Sequence, residues 1–307
     1  MSNKAGYSKE IEKYIKHYRY DEVIDQRSLL KDFTRKYNFF TDKDTLKNFP
    51  QAIYSVFSGV PNCHHIAAKN LLFQGDDECW EFFDRTAYFL TYSQSDDFID
   101  LVTPALNYAL YMQREELLEI LHRKMETYLA NDNYKTDKEH IKQEVYPSSY
   151  LVHFLLSKYE NNDVQYNQVK KYGKGAGIYQ RIIDEWDTSF QEIEQSYWSS
   201  LCDYHLQNLK GTKRTDEEHL WYGLIPMELI NMFIVRKEAG LDIPIIEHDL
   251  FRTPMAVFPP GKTGYHPELD AKFQLVHRTV ENRKKYSYGE IITDLQRENG
   301  PDAVIFY

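Results

Sequence analysis

This chain is short of cysteine, of basic charge and of long apolar runs, and each shortage closes a class of function. The three cysteines, Cys63, Cys79 and Cys202, cannot all pair, and no two stand in a C-x-x-C. That leaves no disulfide framework and fits a reducing compartment. Lysine and arginine total 37 against 47 aspartates and glutamates, a formal net charge of −10. A direct nucleic-acid ligand is not expected, because phosphate binding needs a basic patch and released counterions. No uninterrupted apolar run approaches the length that crosses a bilayer. The opening stretch, MSNKAGYSKEIEKYIKHYRY, lacks the apolar region of a secretory signal and patterns as an amphipathic helix. The cytoplasm is the expected location, with no membrane contact.

Catalytic signatures are missing too. There is no G-x-S-x-G, H-E-x-x-H or H-x-x-x-H. The run Tyr172-Gly-Lys-Gly-Ala-Gly177 matches neither a P-loop nor a dinucleotide fingerprint, and no strand precedes it. It reads as a turn between helices, with anion binding by its backbone N–H groups as the alternative. Cys63-His64-His65 places adjacent imidazoles on different sides of a helix, so it supplies only part of a coordination sphere. Packing near a helix start, or exposure, is the expected role of that pair. His205 and Asp203 match no ligand pattern. The acidic pairs Asp76-Asp77, Asp96-Asp97, Glu115-Glu116 and Glu217-Glu218 fall at expected helix starts, where the macrodipole favours negative charge. No catalytic residue, metal ligand or cofactor is assigned, and the chain is not expected to be an enzyme.

What the sequence does hold is helical periodicity over 307 residues, enough to bury a sizeable core. Aromatic residues make up 15%, with 25 Tyr and 17 Phe. They suit either gap-filling between helices or a partner surface. Apolar stripes mark helices at Ile11–Tyr18, Leu29–Tyr37, Asp42–Ser58 (stopped by Gly59 and Pro61), His64–Phe73, from Trp80 to Leu90, and from Leu117 to Met125. The stripe from Phe98 to Met112 carries Pro104, which is expected to bend or interrupt it. After a polar break at Asn131–Asp137, further helices are expected at Ser148–Tyr159, Gly177–Gln195 and Tyr197–Leu209. The fold class expected is mainly α, stacked antiparallel helical layers with minor β near the C-terminus. Residues 1–307 read as a single helical domain, with a softer division near 131–147. Residues 241–307 read as an irregular extension packed on the core and ending in a short strand, Ala303–Tyr307.

Thr215–Pro260 is the most informative stretch. Thr215 and Glu218 have the spacing of a capping box. The segment Leu220–Val235 is apolar on nearly every face, which predicts one deeply buried helix, and Gly240 supplies its stop. Glu228 stands alone in the apolar run IPMELINMF. A buried carboxylate needs a hydrogen-bonded partner or must become neutral. It is read as a structural link to an Arg, a Lys or a backbone N–H, or else as a polar group at a pocket or interface.

On these residues the chain resembles the immunity proteins of bacterial polymorphic-toxin systems, most nearly the immunity protein 49 family. The features are LWYGLIPMELINMFIVRKEAG, the following Gly240-Leu241-Asp242-Ile243-Pro244, and the Leu250…Pro254 segment. DDFIDLVTPALNYALYMQREELLEIL is similar to the helix–acidic turn–helix layers of such proteins. The immunity partners of PoNe-type DNases are a second likeness. The resemblance implies a protein that binds a cognate toxin and blocks it by stoichiometric occlusion. An acidic chain would suit a basic toxin such as a nuclease. Asp76, Asp77, Trp80 and Glu228 are the candidate partner contacts. The competing readings are a helical scaffold or adaptor, and a nucleotide- or metal-dependent hydrolase.

Overall fold

The computed structural model describes residues 7–20, 52–93, 102–130, 146–172, 175–209, 216, 219–261, 263–271, 273–274, 277–278 and 288–300. Among them the protein is mainly helical and contains no strand. Twelve α-helices are described: α1 (Lys9–Tyr18), α2 (Ala52–Gln74), α3 (Cys79–Ser93), α4 (Val102–Tyr111), α5 (Glu115–Ala130), α6 (Pro147–Tyr159), α7 (Val164–Tyr172), α8 (Gln180–Asp184), α9 (Gln195–Asn208), α10 (His219–Tyr222), α11 (Met227–Glu238) and α12 (Tyr288–Asn299). The expected stripe Leu29–Tyr37, the break at 131–137, the Thr215/Glu218 capping box and the strand Ala303–Tyr307 lie outside the described residues.

The chain divides into two compact units. One comprises Met1–Asp21, Phe73–Gly75 and His122–Pro259, and the other comprises Glu22–Leu72, Asp76–Leu121 and Pro260–Tyr307. The expected extension 241–307 is therefore shared: residues up to Pro259 belong to the first unit and those from Pro260 to the second.

In the first unit α6 packs against α7, α11 and the 3-10 turn Gly177–Tyr179. Every residue of α6 from Ser148 to Ser157 is buried, as is every residue of α11 from Met227 to Arg236. Such all-round burial follows from apolar residues on all faces of each helix. The Tyr14 hydroxyl donates to the Leu206 carbonyl at 2.7 Å, tying α1 to α9. Gly177 sits against Pro147, whose Cγ would lie 3.2 Å from an added Cβ. Close packing accounts for a glycine there. Gly173 and Lys174 of the same run lie outside the described residues.

The expected single helix over Leu220–Val235 is two helices. Gly223 adopts φ 60°, and Pro226 stands at the N-cap of α11. Proline has no N–H to continue a helix and disfavours helical geometry at the preceding residue, here Ile225. A left-handed residue three positions earlier completes the interruption. The expected burial is present all the same: Trp221 is half-buried and Tyr222–Arg236 is buried throughout. At the other end of α11, Gly240 takes φ 71°. Leu241 N–H reaches the Arg236 carbonyl at 2.8 Å and Gly240 N–H the Lys237 carbonyl at 3.1 Å. These are the paired bonds of a Schellman motif.

In the second unit α3 packs on α4. Phe83 meets Tyr108 and Tyr111 at ring-centroid distances of 6.3 and 5.7 Å, so aromatic residues fill the gap between the helices. Tyr265 and Phe273 pack edge-on against Tyr88 of α3. Asp84, fully buried, accepts from Arg114 Nε at 2.7 Å, from Arg114 Nη2 and from the Thr263 hydroxyl.

Two proline expectations need correction. Gly59 and Pro61 do not stop a helix: α2 runs through both. Proline removes one intrahelical bond, but propensity is a weak prior that tertiary packing overrides. The buried run Ala67–Asn70 of α2 supplies such packing. Pro104 does not interrupt α4 either. The helix continues through it to Tyr111, and residues 94–101 before it lie outside the described residues. The expected helix Gly177–Gln195 is shorter than its pattern, reduced to a 3-10 turn, α8 and irregular turns.

Candidate functional site

The four sequence candidates are divided between the two units. Asp76 and Asp77 are exposed in the turn before α3, and Trp80 is half-buried in its first turn. The Asp76 carboxylate accepts from Glu78 N–H at 3.0 Å, which organises the entry to α3. Trp80 rests on Phe83 and Tyr111, with centroids 5.8 and 6.4 Å away. Glu228 is enclosed in the other unit, at 1% exposure. At that burial the carboxylate offers no surface of its own for the expected partner contact. Its own backbone N–H favours the ionised carboxylate, but the side chain paired with it is neither of the expected Arg or Lys. It is a histidine.

His205 on α9 points Nδ1 at Glu228 Oε1, 2.8 Å away, and Nε2 at the Gly223 carbonyl, 2.7 Å away. The carbonyl is available because of the break between α10 and α11. In a continuous helix Gly223 O would accept from Met227 N–H, whereas Met227 N–H bonds to Ile225 O at 2.7 Å. His219 on α10 lies beside His205, with ring centroids 4.7 Å apart. Its Nε2 is 3.3 Å from the Tyr179 hydroxyl, 3.9 Å from Glu228 Oε1 and 4.0 Å from Asp216 Oδ2. Asp216 accepts from Ser148 N–H and from the Ser148 hydroxyl, both at 2.8 Å. Asn208 accepts from Asp216 N–H at 2.9 Å. His205, His219, Asp216 and Glu228 are all buried.

The electrostatics follow from enclosure and mutual contact. Burial favours neutral His205, but the Glu228 charge, its hydrogen bond and the Gly223 carbonyl outweigh it and raise the imidazole pKa. Burial likewise opposes ionised Glu228, yet His205 and His219 hold its pKa below the usual carboxylate value. His219 goes the other way: burial lowers its pKa despite the two carboxylates nearby. Burial raises Asp216, against the pull of His219 and the Ser148 bonds. The result is a hydrogen-bonded His205–Glu228 ion pair with a neutral imidazole beside it. Glu228 Oε2 and His219 Nδ1 have no hydrogen-bond partner among the described residues. His205, His219 and Glu228 are able to hold a metal ion, since one donor atom from each lies within 4.8 Å of the others.

The sequence sets His205 aside as matching no ligand pattern and gives no sign of His219 or Asp216. They sit on separate elements around a turn, so no periodic spacing connects them to Glu228. The lone carboxylate in an apolar run was the one legible sign. His64 and His65 are buried in the middle of α2, with His64 against the rings of Phe82 and Phe89, and they are neither exposed nor at a helix start.

Comparison with protein-family models, curated proteins and solved structures finds no match to this chain. Among the described residues no helix is long and apolar enough to cross a membrane.

Proposed function

We propose that this chain is an immunity-type binding protein that neutralises a cognate bacterial toxin in the cytoplasm by stoichiometric occlusion, with no chemistry of its own. The observation that carries the reading is the enclosure of the ionisable groups in the segment bearing the resemblance. His219 and Glu228 are 0% and 1% exposed, so these two ionisable groups belong to a core, which supports a binding role for the surface around it. Outer helical faces remain for contact. The net charge of −10 suits a basic partner such as a nuclease effector, whose own cationic surface it would complement. The exposed pair Asp76 and Asp77, beside half-buried Trp80, is the candidate contact in the second unit.

The test is co-expression with the toxin encoded beside this gene, followed by affinity purification. Rescue of growth and co-purification in equal amounts are expected. Replacing Asp76 and Asp77 together by Lys should weaken the complex and make it less sensitive to salt, because exposed charges act through screened long-range attraction. Failure of both rescue and co-purification with the intact chain would end this reading.

A further inference from the structure

We propose that His205, His219 and Glu228 form a structural site for a divalent transition-metal ion, of the Zn2+ class, in the core of the first unit. This inference is independent of the toxin-binding reading. Two imidazoles and a carboxylate are the donors that borderline-soft divalent ions prefer. They converge from three separate elements, α9, α10 and α11, and their donor atoms all lie within 4.8 Å of one another.

The spacing fits the ion. Zinc bonds to nitrogen and oxygen of about 2.0–2.2 Å imply tetrahedral donor-to-donor edges of roughly 3.3–3.6 Å. The measured edges from Glu228 Oε1 are 2.8 Å to His205 Nδ1 and 3.9 Å to His219 Nε2, one on each side of that value. Small side-chain rotations would equalise them. An ion there takes the place of the proton between His205 Nδ1 and Glu228 Oε1, and that proton leaves to solvent.

The surroundings suit a metal ligand as well. His205 Nε2 faces the Gly223 carbonyl at 2.7 Å, which holds the N–H on Nε2 and leaves the Nδ1 lone pair for the ion. Two further oxygens stand near His219 Nε2 to complete the sphere: the Tyr179 hydroxyl at 3.3 Å, and Asp216 Oδ2 at 4.0 Å, which Ser148 fixes. Glu228 Oε2, in a residue 1% exposed, has no hydrogen-bond partner among the described residues. Two buried carboxylates, Asp216 and Glu228, are balanced by one divalent charge with both imidazoles neutral. Enclosure then makes the role structural: the ion joins three elements, exchanges slowly and has no open position for substrate.

The experiment uses the full chain purified from cells supplied with Zn2+, with metal counted by mass spectrometry after dialysis. One ion per chain is expected, with removal by chelator only when the protein is partly unfolded, and with a fall in thermal midpoint once the ion is gone. Reconstitution with Co2+ should give the visible absorption of a low-coordinate nitrogen–oxygen site. His219→Gln should bind no ion in stoichiometric amount while keeping its helical circular dichroism. Should that variant fail to fold, X-ray absorption of the wild-type zinc protein decides, with two imidazoles in the coordination sphere expected. A wild-type chain that retains no ion after refolding with Zn2+ or Co2+ overturns the proposal. So does an unchanged cobalt spectrum in folded His219→Gln, or a coordination sphere without imidazole.

Discussion

Arg236 stacks its guanidinium over the Phe190 ring, with the central carbon 3.4 Å from the ring centroid. Its Nε donates to the Asp242 carbonyl at 2.7 Å, and Nη2 donates to the Asp242 carboxylate and the Thr188 carbonyl, each at 2.9 Å. Nη1 donates to the Trp186 carbonyl. One fully buried side chain thus anchors the end of α11 to the turns after α8 and to the segment after Gly240. Arg236→Met should lower stability by about 3 kcal/mol, because the Trp186, Thr188 and Asp242 carbonyls lose their donor together and each buried acceptor left unpaired costs about 1–3 kcal/mol. Asp242→Asn should cost less, about 1 kcal/mol, since Arg236 keeps its carbonyl acceptors. Urea unfolding of the two variants checks the order.

Gly240→Ala tests the helix stop by itself. Nothing lies within 4 Å of a Cβ added there, so no clash contributes, and the left-handed φ of 71° is the whole difference. A loss of about 1 kcal/mol is expected. Gly240→Asn should lose less, because asparagine tolerates that conformation. Thermal unfolding of both variants measures the effect.

How far this molecule can be read from its sequence depends on which force decides each element. α3, α5, α6 and α9 follow their apolar stripes closely, because helical periodicity reports burial directly. Prolines were the weak point. Pro61 sits inside a continuous helix, while Pro226 opens a new one, and the same residue type gives no local sign of which outcome packing will select. The candidate site was legible at one residue. Glu228 stood out as a carboxylate in an apolar run, but its partners arrive from separate elements, α9 and α10. Tertiary placement, not spacing, brings His205 and His219 to it. The exposure of Asp76 and Asp77 follows from their turn, and nothing in the pattern before Trp80 says what lies against it.

Acid should weaken the fold through His153. It is buried in α6, and burial, with His122 as a lesser influence, brings its imidazole pKa down from 6.5 to about 4. The sign follows from linkage: between those values the unfolded chain holds the proton and the folded chain does not, so stability falls as pH drops. The contribution is present above pH 6.5 and is lost progressively towards pH 4, on the order of 3 kcal/mol in all. His153→Leu should flatten the stability profile in that window relative to wild type, while carboxylate effects remain common to both. Denaturant midpoints at a series of pH values give the comparison, and identical slopes would refute the assignment.

Glu228→Gln separates an interior role from a contact role. In the metal-free protein, removing the charge leaves protonated His205 buried without its counter-ion, at a cost of about 3 kcal/mol. The residue is enclosed, so the folded fraction of the variant should bind the proposed toxin with wild-type affinity. Calorimetry below the variant's unfolding temperature measures this. A large loss of affinity in fully folded protein would place Glu228 at the interface after all.

The interruption at Gly223–Pro226 looks like a defect in the most apolar stretch of the chain, yet the polar interior depends on it. A rod without that corner would satisfy its own peptide groups and offer His205 nothing but hydrocarbon. By turning there, the backbone releases a single oxygen into a place water does not reach. An imidazole, and through it a carboxylate, can then be accommodated at the centre of an oily layer.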